Sequence, residues 1–233
     1  MSTVRVRALQ DSGWCSPSTD MAIIRDSSTN GSDASSFSHT CSGTNRFLVV
    51  AVTIDKTSGT PPASCDVTYG GVAMTLHNTA NHQDGSIFSK IHIFGLIAPA
   101  TGSNTVAIGS VDGTINFCAA VSYTGVKQTG YLVETVTEND AAQNPTLAVN
   151  SGTRIAAAVG AISALPRAVT GVGSNTAEIV RDSPSSIFES SPLQMVPGAQ
   201  FLNVTCSANT TNKSLVGVVF EQANLAGGLI MFD

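Results

Sequence analysis

Apolar residues recur at every second position along most of this chain, and no amphipathic helix is convincing, so the pattern predicts strands. Val4, Val6 and Ala8 alternate with Arg5 and Arg7, which reads as a short strand with one wet face. The Ser/Asp/Asn/Gly-rich stretch from Asp26 to Ser36 predicts a loop. Phe47 to Ile54 (FLVVAVTI) is apolar on both faces, as a central strand of a sandwich must be. Asp55 to Ser64, with Gly59, Pro61 and Pro62, turns the chain. Val67-Thr68-Tyr69, Gly70-Gly71 and Val72 to Leu76 spell a hairpin, because a Gly-Gly pair supplies the positive φ values of a tight turn.

Further strands are expected at Ile87 to Leu96, Asn104 to Ile108, Ile115 to Tyr123, Tyr131 to Thr137, Arg154 to Ile162, Ala177 to Val180, Ala199 to Thr205 and Ser214 to Phe220. The alanines of Arg154 to Ile162 have high helix propensity. That run lacks a charged face and is bounded by Gly152 and Pro166, so a buried strand is preferred. Around a dozen strands joined by polar turns indicate an all-β antiparallel sandwich of jelly-roll type. No internal repeat and no interdomain linker is visible. The expected organisation is an N-terminal arm over 1–35, one sandwich over 36–222 and a C-terminal tail over 223–233.

Charge changes the picture most. Of 233 residues only 12% are charged, about half the usual share, and the net charge is −5. A nucleic-acid or anionic-membrane binder needs a basic surface, so neither partner is expected. Polarity comes instead from Ser, Thr, Asn and Gly. The longest apolar run, Ile155 to Leu165, is too short to cross a membrane. The start, MSTVRVRALQDSG, lacks the apolar region of a secretory signal, so synthesis in the cytoplasm is expected. Cys15, Cys41, Cys65, Cys118 and Cys206 show no metal-ligand spacing and read as free, mostly buried thiols; a disulfide made after release from the cell is the alternative.

No catalytic motif stands out: there is no G-x-S-x-G elbow, no P-loop and no H-E-x-x-H. No enzyme, cofactor or metal site is expected. His92, between Ile91 and Ile93, should face away from them as a hydrogen-bonded structural histidine. His77 and His82 flank a polar stretch with Asp84 that could in principle hold a metal. Asp26, Ser28, Asn30, Gly31 and Asp33 imitate the opening of a calcium loop, but position twelve would be Phe37, which cannot chelate. Glu134 and Glu138 lack an aromatic platform and read as a solvated edge.

The strings HTCSGTNRFLVVAV (His39 to Val52), VTYGGVAMTL (Val67 to Leu76), IHIFGL (Ile91 to Leu96), PATGSNTV (Pro99 to Val106) and AAVSYTGVKQT (Ala119 to Thr129) together resemble a jelly-roll domain. That domain recurs in tailed-bacteriophage virion proteins and some bacterial surface proteins. Phe94 stands where the family usually has Trp. The resemblance implies a non-enzymatic virion structural protein, most plausibly a capsid decoration or cement subunit. Its partners would be other copies of itself, as a homo-oligomer, and virion proteins such as the major capsid protein. A tail, collar or fibre component, or a carbohydrate-binding adhesive module, is the alternative. Outside the family-like core, Val4, Val6, Leu9 and Trp14 of the arm and Leu229, Ile230, Met231 and Phe232 of the tail are the expected partner-binding residues. Four bulky apolar side chains after Gly227-Gly228 forgo roughly 1.5–3 kcal/mol each if left in water. They would pack as an intrachain strand or dock into a neighbouring subunit.

Overall fold

The computed structural model describes residues 21–138, 145–164, 169–182, 184–195, 197–206 and 213–223. Among them every regular element is a strand, and all strand pairs are antiparallel. The first half of the chain runs through β1 (Ile24–Ser32), β2 (Ser36–Cys41), β3 (Phe47–Lys56), β4 (Asp66–Tyr69) and β5 (Val72–Ala73). It continues with β6 (Thr75–Asp84), β7 (Ile87–Ile97), β8 (Gly102–Gly109) and β9 (Thr114–Thr124). The second half holds β10 (Leu132–Glu138), β11 (Thr146–Asn150), β12 (Ala156–Ser163) and β13 (Val169–Val172). Then follow β14 (Thr176–Asp182), β15 (Ser185–Ser190), β16 (Ala199–Cys206) and β17 (Ser214–Glu221).

These strands form four sheets, ordered β2-β8-β4-β5, β1-β9-β3-β7-β6, β10-β17-β12-β15-β14 and β11-β16-β13. The second half repeats the first. Replacing β1-β9-β3-β7-β6 by β10-β17-β12-β15-β14, and β2-β8-β4 by β11-β16-β13, keeps every neighbour; only β5 lacks a counterpart. This corrects the expectation of no internal repeat. The order is carried by strand pairing, and the two halves reach it with different side chains, so self-similarity in sequence is faint.

Three apolar layers bind the four sheets into one stack. Leu48, Val50 and Val52 of β3 meet Val67, Tyr69 and Val106 of the first outer sheet. Val49 and Ala51 of the same strand, with Ile91, Ile93 and Val121, meet Ala157, Val159, Ile187, Val218 and Phe220 across the middle. Ala156, Ala158, Leu215 and Val219 meet Leu147, Val149, Leu202 and Val204 of the second outer sheet. The two five-stranded sheets are thus covered on both faces, and this explains the unbroken apolar runs of β3, β12 and β17. The outer strands β11 and β16 alternate, because one of their faces is wet.

The stretch from Asp26, expected as a loop, is instead mostly strand β1, paired with β9 at the edge of a five-stranded sheet. Its polar side chains are held by neighbours, and strand preference depends on such context more than on intrinsic propensity. Gly31 is needed there: a Cβ would lie 2.5 Å from the Phe37 ring and 2.6 Å from the Cys118 sulfur. The stretch carrying His77, His82 and Asp84 is likewise strand β6. Strands β2, β11, β13 and β15 were also not anticipated, being short or rich in Ser and Thr. The strand expected over Arg154 to Ile162 is buried strand β12 from Ala156 onward, with Arg154 and Ile155 exposed before it.

All four edges of the central sheets carry a register irregularity, at Arg25/Ser27 and Asn30/Ser32 in β1, Leu76/Asn78 in β6, Leu132/Glu134 in β10 and Glu178/Val180 in β14. Bulged edges resist pairing with foreign strands.

Candidate functional site

Several of the polar residues that sequence alone could have assigned to chemistry hold strands of the fold together. His39 of β2 is buried and reaches β1, with Nδ1 2.9 Å from Thr29 Oγ1 and Nε2 3.3 Å from Ser27 Oγ. Beside it Asp26 accepts from the Ser42 backbone at 2.7 Å and from Ser122 Oγ at 2.9 Å. Burial raises the Asp26 carboxyl, but the hydrogen bonds from Ser42 and Ser122 outweigh it and hold the group below its ordinary value. In the second half Glu134 of β10 does the same work, accepting from the Asn150 backbone N–H at 2.7 Å. In both halves a carboxylate of the first strand therefore ties down the end of the second. The oxygens of Asp26 and Asn30 are dispersed along β1, Asn30 Nδ2 donating to Asp182 at 3.1 Å, and do not converge on a cation.

A second polar set lies where the halves meet. Tyr123 Oη of β9 donates to Glu189 Oε2 of β15 at 2.8 Å, and Arg25 Nη1 of β1 lies 3.2 Å from Glu189 Oε1. Burial raises the Glu189 carboxyl, countered by the Tyr123 hydrogen bond and the Arg25 charge. Further along the same interface Ser89 Oγ approaches Ser163 Oγ at 3.2 Å and His82 Nδ1 approaches Ser214 Oγ at 3.0 Å. Asp55 accepts from both Ser89 and Asn116. His77 pairs with the Tyr131 hydroxyl at 3.1 Å. His92 points away from Ile91 and Ile93, as expected, with Nδ1 3.2 Å from the Val52 carbonyl oxygen. No pocket opens among the described residues, and no group of three or more His, Cys, Asp or Glu is placed to hold a metal.

Cys41, Cys65, Cys118 and Cys206 are free and buried, as expected; Cys15 lies outside the described residues. Burial pushes the Cys65 thiol up to about 11 and Cys118 up to about 12. Thiolate is the reactive species, so these four should label with a thiol reagent only after denaturation. Peptide mapping of natively labelled protein checks this; rapid native labelling of Cys118 would contradict it.

The expected partner-binding residues Val4, Val6, Leu9, Trp14, Leu229, Ile230, Met231 and Phe232 all lie outside the described residues. The described residues nearest to them in the chain lie close together. Strand β1 begins opposite Thr124, and the Ala223 N–H donates to the Gly125 carbonyl oxygen at 2.8 Å. Residues 24 and 223 therefore lie at one pole of the stack, beside residues 125–131 that join the halves. Glu221 anchors this pole, 2.8 Å from Lys127 Nζ and 3.5 Å from Arg154 Nε.

The broad outer faces were not singled out from the sequence. On the first outer sheet the outward positions are Ser36, Ser38 and Thr40 of β2, Ser103, Thr105 and Ala107 of β8, Thr68 of β4 and Ala73 of β5. Asp66, bonded by Ser110, is the one charge, at the end of β4. On the second they are Thr146, Ala148 and Asn150 of β11 and Ala199, Phe201, Asn203 and Thr205 of β16, with no charged residue. Phe201 is 55% exposed. Strand alternation would have found these positions had the outer strands been recognised as outer.

Comparison of the chain with protein-family profiles, curated proteins and solved structures gives no match.

Proposed function

We propose that this chain is a non-enzymatic structural subunit of a tailed-phage virion, a capsid decoration or cement protein of jelly-roll type. In this reading it is made in the host cytoplasm and binds the head lattice and neighbouring copies, and neither nucleic acid nor membrane is a partner. The observation that carries the reading is the placement of charge: among the described residues, the outward strand positions of the two outer sheets hold a single charge, Asp66. Exposed protein surface ordinarily carries many charges, which keep molecules apart. A body with neutral flat faces is suited to lie closely against other neutral surfaces in an assembly. The nearness of residues 24 and 223 adds a second support, since in this reading segments 1–20 and 224–233 would act from one end of the body as a paired anchor, multiplying weak contacts. A tail, collar or fibre position would use the same properties.

Deleting residues 227–233 should remove the protein from purified particles while leaving its thermal melting unchanged. Normal incorporation of the truncated chain, measured by mass spectrometry of particles, would count against an anchoring tail. Absence of the full-length chain from particles would refute the virion reading.

A further inference from the structure

We propose that the outer face of the sheet β11-β16-β13 is a self-association surface, on which Phe201 of one copy seats over Ala148 of a second. This rests on the assembly reading and names the surface that would serve it. Phe201 and Ala148 are directly opposed across β11 and β16, Ala199 lies two residues from Phe201 on β16, and Gly171 of β13 faces Thr205 further along β16. A large ring thus stands beside small side chains on one flat face. A twofold axis lying in the interface between β11 and β16 brings each ring over the partner's alanine, so that the face complements itself, as an isologous contact requires.

Charge selects the occupant. Each copy carries a net −5, which repels a second copy wherever charged surfaces meet. This face presents only Thr, Ala, Asn, Phe and Gly among its described outward positions, so two of them meet without like-charge contact. Charges begin at its margins, with Glu134 beside Asn150 and Arg181 bonded to the Thr170 carbonyl oxygen. A charged partner would find nothing to pair with. The corresponding face of the first half carries Asp66 at its margin, Ser and Thr occupy most of its outward positions, and none of these is aromatic. It therefore lacks the apolar knob that makes burial worthwhile.

Light scattering coupled to size exclusion, on the full-length chain over a hundredfold concentration range, tests the surface. The wild type should show at least twice the monomer mass at the upper end, and Phe201→Asp and Ala148→Arg should each return the monomer. Ser103→Asp, on the other outer face, should leave the association unchanged. Circular dichroism and melting should be those of wild type for all three, since the altered side chains are exposed. An associating wild type whose mass neither Phe201→Asp nor Ala148→Arg lowers overturns this surface and leaves the assembly reading standing. A wild type that stays monomeric throughout also overturns it, and particle incorporation then decides the assembly reading separately. Retention of the monomer on a neutral polysaccharide column, lost in Phe201→Asp, would assign the face to a sugar instead.

Discussion

Acidification from about pH 7 to pH 4 should cost roughly 3 kcal/mol of folding stability through His92 alone, and a similar amount through His39. Both imidazoles are fully enclosed, and burial pushes each from 6.5 down to about 4; for His39 the nearby Asp26 charge partly opposes this. Between those two values the unfolded chain binds a proton that the folded chain refuses. The unfolded state then holds more protons, and stability falls as pH drops through the window. Glu189 and Asp55 act the other way, because burial raises both carboxyls and their folded forms take up protons first. The contribution of one histidine is therefore best read as a difference. His92 stacks on Phe94 among the apolar residues of the first outer layer, and leucine suits that site. Urea denaturation of His92→Leu at both pH values should show a loss smaller than that of wild type by roughly 3 kcal/mol. An identical loss in the two proteins would mean that His92 is not held neutral.

The second large effect is expected where the outer and central sheets of the second half interlock. Gly160 and Gly217 are directly paired across β12 and β17. A Cβ on Gly217 would lie 2.3 Å from Leu147 Cδ2, and one on Gly160 would lie 2.5 Å from the Phe188 ring. The two glycines form a notch that receives Leu147 and Phe188, both buried. Gly217→Val should destabilise the protein by about 3 kcal/mol, because neither Leu147 nor the strand backbone behind it has room to give. Leu147→Ala should cost about 2–5 kcal/mol by leaving a cavity. Combined, they should cost clearly less than their sum, since the valine enters the space the leucine vacates. Strict additivity in urea midpoints would show that Gly217 is not packed against Leu147.

Strands with a strong apolar pattern were legible from residues alone: Phe47 to Ile54, Ile87 to Leu96, Ile115 to Tyr123 and Ser214 to Phe220 all lie within observed strands. Of the expected strand Arg154 to Ile162, Ala156 to Ile162 is strand despite its alanines, because this part has no face to present to water, whereas Arg154 and Ile155 precede the strand and are exposed. Strands such as Ile24–Ser32 and Ser185–Ser190 escaped notice, since serine and threonine signal turns as readily as edges. What stabilises them is distant: Ser27 and Thr29 bond to His39, and Glu189 bonds to Tyr123. The Phe201 face was hidden for a related reason, because exposure belongs to the layer in which a strand lies.

Hydrophobic spacing along this chain decided that it is all-β, and it marked Phe47 to Ile54 as a central strand. An unbroken apolar run can only be covered on two sides, and an alternating one on one side. Which strands pair, that the same order is built twice, and that two neutral faces end up outermost were decided by the tertiary structure alone. Those features come from contacts between residues far apart in the chain, such as Val52 with Cys118 or Val159 with Val218. Local pattern carries no information about such partners, because any apolar strand satisfies any other until packing and register choose between them.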